Sequence, residues 1–230
     1  MKKRMILAAG LLWALCLNSH AGDGFFSTEK SDEGVKAELR GGLAVSKMAA
    51  QDDNSSIKGN RRLGFSAGLA LDIPILKSLA VETGLHYVQK GMKEKDTSTG
   101  TLIEGTGNPG YLEVPLLVSY RYAFKKKIQL QVSTGPFLAV GISGKMKLRQ
   151  DVGTGKMQKL GEMDWFGNEE DLSTARFRRF DMGWHIGARM RFLNRFSVGY
   201  SFEAGFLDTA RNIGYKVKSR SHLVNFGFII

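Results

Sequence analysis

From Val35 to the last residue the chain alternates apolar positions with small, polar or charged ones, in blocks of about a dozen residues. Successive side chains of a strand point to opposite faces, so a period of two predicts strands. Tyr111–Phe124 shows the pattern most fully. Leu112, Val114, Leu116, Val118, Tyr120, Tyr122 and Phe124 share one register. Tyr111, Glu113, Pro115, Leu117, Ser119, Arg121 and Ala123 share the other, which carries both charges. The run exceeds the roughly 5–6 residues of an ordinary strand. Its aromatic-tipped apolar face suits a tilted span of a membrane barrel.

Seven further blocks repeat the pattern: 35–47, 63–73, 79–90, 128–143, 180–192, 196–207 and 220–230. Each has one apolar register and one rich in Gly, Ser, Ala and charge. The connections alternate long and short. Residues 48–62, 91–110, 144–176 and 208–219 are polar and read as loops, whereas 74–78, Lys125–Lys127 and Leu193–Arg195 read as tight turns. Eight strands with long loops on one side predict an all-β fold, an eight-stranded antiparallel up-and-down transmembrane β-barrel over residues 35–230. A lipocalin-like soluble barrel also has period-two strands, but its apolar face would line a cavity and its outside would be polar. Strand length, a strand ending at the C-terminus and the small-plus-charged second face favour the membrane, because an eight-strand interior is crowded.

The N-terminus adds a compartment. Met1-Lys2-Lys3-Arg4 is basic, Met5–Leu17 is apolar except for Gly10, and Asn18-Ser19-His20-Ala21 ends in a small-x-small site. This predicts a signal peptide over 1–21, cleaved near Ala21, and export to the outer membrane of a Gram-negative cell. Residues 22–34 have no periodicity and read as a periplasmic lead-in. The single cysteine, Cys16, leaves with the leader, so the mature chain has no thiol or disulfide chemistry. The formal charge of +11 falls to about +8 without Lys2, Lys3 and Arg4. In an exported chain, spread-out basic residues argue against nucleic acid and for an anionic surface, that of outer-membrane lipid and lipopolysaccharide.

Several segments together resemble a known group: Gly84-Leu-His-Tyr-Val-Gln-Lys-Gly91, Tyr111-Leu-Glu-Val-Pro-Leu-Leu-Val-Ser-Tyr120, Gly135-Pro136, Asp181-Met-Gly-Trp-His-Ile-Gly187 and Gly205-Phe-Leu-Asp208. The chain is similar here to the PorT-type outer-membrane β-barrel family of Bacteroidetes-like bacteria. The Tyr-Leu-Glu-Val-Pro-Leu-Leu strand is the most specific part. The resemblance implies an eight-stranded barrel and brings no reaction with it.

The registers put Lys36, Arg40, Lys90, Arg121, Arg189 and Arg191 inside the barrel with Glu38, Asp72, Glu82, Glu113, Asp181 and Glu203. A buried charge is costly unless paired, so this set predicts a lumen charge network, with Arg121 against Glu113 or Glu203. Catalytic, cofactor and metal sites are not expected. His86 and His185 face the lumen and His222 the apolar register, while Ser221 and His222 are neighbours on opposite faces and cannot form a dyad. Asp52-Asp53-Asn54 reads as a solvated loop, and Gly153-Thr-Gly-Lys156 lacks P-loop spacing. Trp165 and Phe166, in the longest loop, are candidate contacts for the membrane surface or an envelope protein partner, with folding back on the barrel rim as the equal alternative. The functional expectation is a non-enzymatic structural or interaction role through the outer loops. The alternatives are a small-solute porin and a lipid-modifying enzyme.

Overall fold

A computed structural model describes residues 26–51, 56–58, 60–96, 102–125, 128–151, 157–167, 174–210 and 216–230. The expected signal peptide over 1–21, Asp52–Asn54, Gly153–Lys156 and Lys126-Lys127 lie outside the described residues. In chain order the strands are β1 (Lys36–Gln51), β2 (Ser56–Lys58), β3 (Arg62–Pro74), β4 (Leu79–Gln89), β5 (Met92–Asp96), β6 (Ile103–Gly107) and β7 (Gly110–Lys125). Then come β8 (Ile128–Ser143), β9 (Lys145–Asp151), β10 (Met157–Phe166), β11 (Thr174–Phe177), β12 (Phe180–Phe192), β13 (Phe196–Gly205) and β14 (Lys216–Ile229).

Eight of these strands form a closed ring in the order β1, β3, β4, β7, β8, β12, β13, β14, and β14 returns to β1. Every neighbour in the ring is antiparallel. The closing pair runs from Glu38 opposite Ile229 to Gln51 opposite Lys216, so no long edge stays open. The exposed register is apolar around the ring: Leu43, Leu63, Val118, Val132, Ile186 and Phe226 all face outward. Leu116 is 59% exposed beside Leu117 at 1%, so each face is fixed by the period of two. An apolar band of this extent is untenable against water and is what a hydrocarbon solvent requires. Outward polar atoms are tied down: Trp184 Nε1 donates to the Thr134 hydroxyl (2.8 Å), which donates to the His185 carbonyl (3.1 Å).

Two stretches expected as loops are largely strands instead, and strands also enter the other two: 48–62 carries the end of β1 and β2, and 208–219 the start of β14. Residues 91–110 and 144–176 carry β5, β6, β9, β10 and β11, which form a second sheet in the order β11-β10-β9-β6-β5. Charge and glycine made them read as loops, yet a period of two persists in β9: Lys145, Lys147 and Arg149 are exposed while Met146 and Leu148 are half-buried. Pairing between β6 and β9 joins the two hairpins. At the opposite end, residues ahead of β1 pack on the short connections. Ser27 N donates to the Ser78 hydroxyl (2.8 Å) and Phe26 stacks on Tyr120 with ring centroids 6.2 Å apart. The β12–β13 connection, Leu193–Arg195, places Leu193 (φ 54°) and Asn194 (φ 57°) in the left-handed region, the central positions of a type I′ turn that Arg195 N closes by donating to the Phe192 carbonyl (3.3 Å).

Leu116→Arg should cost about 2–4 kcal/mol, the penalty for a cation on the lipid face near the bilayer midplane. A urea titration in lipid vesicles measures it; an unchanged midpoint would mean that Leu116 does not face lipid.

Candidate functional site

The inward register holds the ionisable groups, and they assemble in two tiers. At the short-turn end, Arg121 on β7 donates to Glu33 Oε2 (3.1 Å) and to the Leu76 carbonyl (3.1 Å), and lies 3.9 Å from Asp72. Asp72 on β3 accepts from Arg191 on β12 at 2.5 Å, and Arg191 reaches Glu38 on β1 at 3.4 Å. Glu38 also accepts from Arg40 (2.9 Å) and from the Ser197 hydroxyl. Arg40 sends its other terminal nitrogen to Glu82 on β4 (2.8 Å), and Glu82 accepts from Arg189 (2.8 Å) and Gln131 (3.1 Å). Arg40, Arg121, Arg189 and Arg191 thus alternate with Glu33, Glu38, Asp72 and Glu82. The tier is neutral, and the guanidinium groups of Arg40, Arg189 and Arg191 each bridge carboxylates of two strands, which is how buried charges become tolerable.

The second tier is acid-rich. Lys90 at the end of β4 is 1% exposed and lies 2.5 Å from Glu113, 3.7 Å from Asp181 and 4.0 Å from Glu203. Asp181 accepts from the Ser219 hydroxyl (2.8 Å), and His185 Nδ1 is 3.1 Å from Glu203 Oε1. The Lys90 ammonium also sits 4.5 Å from the Phe137 ring centroid and 5.3 Å from that of Tyr111, within cation–π range.

An apolar layer caps this tier. Trp165 stacks on Phe177 with centroids 4.1 Å apart, and Phe166 meets Tyr111 edge-on at 5.6 Å. Met48, Phe137, Ala139, Ala210 and Val217 complete the buried cluster. The strands leave sockets for the two rings: a Cβ at Gly107 would run into the Trp165 indole, and one at Gly141 into the Phe166 ring.

These positions correct three expectations. Arg121 does not meet Glu113 or Glu203, because it lies at the short-turn end with Asp72 while they surround Lys90. Lys36 stays outside the lumen tiers and pairs with Glu33 at the rim (2.8 Å). Trp165 is 0% exposed and Phe166 is buried, so the two rings fold back on the barrel and the partner contact is the alternative that fails. Sequence reading missed Glu33, which precedes the first periodic block and carries no periodic signal. Gln131 and Ser197 lie on the inward register and were open to the same argument as the charges. His86 sits opposite Glu113, and His222 is 2.6 Å from the Tyr200 hydroxyl on the outward face. Among the described residues, no cluster of His, Cys, Asp or Glu is arranged to hold a metal ion.

The hairpin sheet is charged outside. Lys93 pairs with Glu104 (2.7 Å), and Glu162 takes both Lys145 (3.1 Å) and Lys159 (3.0 Å). Hydrogen bonds from Lys159 and Lys145 hold the Glu162 carboxyl down at about 2.

A closed ring of eight antiparallel strands, apolar outside and filled with paired charges inside, defines an outer-membrane β-barrel protein. This chain belongs to the outer membrane protein beta-barrel domain family, which matches residues 26–211. No curated protein sequence matches it. Among solved structures it is similar to Ail, the attachment invasion locus protein of Yersinia pestis, at 17% identity and a TM-score of 0.41, covering 86% of this chain and 100% of Ail. It is also similar to Neisserial surface protein A (11% identity, TM-score 0.37, 85% and 99% covered) and to the outer membrane enzyme PagL (13%, 0.37, 80% and 97%).

Arg40→Met should cost about 3–5 kcal/mol in a urea titration, since it leaves the buried Glu38 and Glu82 one guanidinium short, with Arg189 and Arg191 to serve them. Arg121→Met should cost less, because Glu33 is half-exposed and can be solvated; the reverse ranking would place the critical pair at the rim. In a Trp184→Phe background, Gly107→Val should expel the Trp165 indole and raise its quenching by acrylamide severalfold. Unchanged quenching would mean that the socket does not hold the ring.

Proposed function

We propose that this outer-membrane protein is a non-enzymatic barrel with a structural or interaction role, acting through the sheet built by its long hairpins. The observation that carries this reading is the filled lumen. An eight-strand interior is just wide enough for side chains. Here two tiers of paired charges and an aromatic layer stack along it. That filling disfavours the porin alternative. The lipid-modifying enzyme is disfavoured by where the histidines lie: His185 and Glu203 sit beneath the aromatic layer, and His222 is engaged by Tyr200.

The orientation follows the rule for such barrels, with short turns toward the periplasm and the hairpin sheet outward. Mature protein begins after Ala21, and its partners are lipopolysaccharide around the barrel and an envelope protein at the hairpin sheet. The finer family reading is PorT-type, supported by the Tyr111–Tyr120 strand with its inward Glu113 and outward Leu116. Exposed positions on the hairpins, such as Leu160 and Lys147, replace the buried Trp165 and Phe166 as the surface offered to a protein.

Purified protein in planar bilayers should give no steady single-channel current; stepwise openings would establish the porin alternative. Photo-crosslinkers at Leu160 in intact cells should capture a discrete envelope protein, whereas crosslinks to lipid alone would remove the protein-interaction role.

A further inference from the structure

A cleft of about 530 Å³ opens on the flank of the molecule where β8 passes into β9. Its floor includes Ile142, the last residue of β8's outward apolar register, and its walls include Lys145, Lys147 and Arg179. Phe180, 47% exposed on the outward face, directly follows Arg179. The cleft therefore straddles the level at which the apolar band ends and the charged hairpin sheet begins.

The cations there are unequal. Lys145 is committed to Glu162, which Lys159 also holds. Among the described residues, neither Lys147 nor Arg179 has a carboxylate partner, although Asp164 also lines the cleft. Arg179 is nevertheless fixed in place. One Nη donates to the Gly141 carbonyl (3.0 Å), and the guanidinium carbon lies 5.1 Å from the Phe166 ring centroid. A guanidinium has five donors, so most of this fork remains to offer. A planar fork held against a ring, with a point charge nearby, matches a phosphate monoester. An apolar strip directly below it matches an acyl chain.

We propose that this cleft binds a phosphate-bearing glycolipid of the outer leaflet. Arg179 and Lys147 take the phosphate, and Ile142 with Phe180 takes an acyl chain. The inference rests on the outward orientation of the hairpin sheet given above, and it deepens the lipid contact into a defined site.

The test is native mass spectrometry of the full-length mature protein released from detergent, titrated with bis-phosphorylated lipid A. Dephosphorylated lipid A and inorganic phosphate serve as separate arms. Bis-phosphorylated lipid A should stay bound, the dephosphorylated form should bind at least tenfold more weakly, and inorganic phosphate should not compete at equal concentration. Lys147→Gln/Arg179→Gln should lose at least tenfold in affinity, while Lys218→Gln, exposed and outside the cleft, should not. Should the double variant lose the mobility shift between unheated and boiled samples, Lys147→Gln alone carries the test, since Lys147 is exposed and unpaired. Equal binding of both lipids, equal binding by the variants, or competition by inorganic phosphate would each overturn the proposal. Labelling of Lys147→Cys in intact cells by a membrane-impermeant maleimide tests the orientation separately. Labelling of Lys147→Cys together with wild-type protein that fails to retain lipid A sinks the site and leaves the outward reading standing.

Discussion

A strand crossing hydrocarbon has no water to satisfy its N–H and C=O groups, and this demand governs the rest of the molecule. The pairing of β1 with β14 meets it by shutting the ring. Closure assigns both faces of every strand at once. One must suit lipid, and the other must fit an interior only as wide as its side chains. Small residues such as Ser133, Gly135, Ala139 and Gly183 occupy part of that interior, and long charged ones reach across it.

The charges then have to neutralise one another, because the closed wall denies them water. They do so across large distances in sequence: Arg191 meets Asp72, and Ser197 meets Glu38, from strands on different parts of the ring. These bridges tie the wall from within, much as the backbone ties it around the circumference. Nearer the hairpins, Lys90 with its three carboxylates sits beneath Trp165 and Phe166. The barrel is therefore closed along its length by chemistry that changes from ion pairs to aromatic packing.

The hairpins inherit their order from the barrel. β8 runs into β9 through Gly144 alone, and β6 pairs with β9, so backbone bonding continues past the apolar band as a second sheet. A sheet displays its exposed residues in fixed rows, which free loops would not. Lys145 and Lys147 stand in such a row above the lipid-facing Ile142.

The sequence by itself determined the eight strands of the barrel and the face of most residues in them, because a period of two is a local property that no partner is needed to read. Leu116 outward and Ser119 inward followed from alternation alone, as did the inward placement of Glu38, Arg40 and Glu82. Alternation says nothing of height. Which inward residues meet depends on the stagger between strands around the ring, and only the closed structure sets it. Arg121 consequently lies with Asp72 and Glu33, far along the axis from Glu113, although Arg121 and Glu113 share a strand and a face. The same limit hid the aromatic cap. Trp165 and Phe166 look exposed in a charged, glycine-rich segment, and only the sockets at Gly107 and Gly141, brought from other strands by the fold, make them interior.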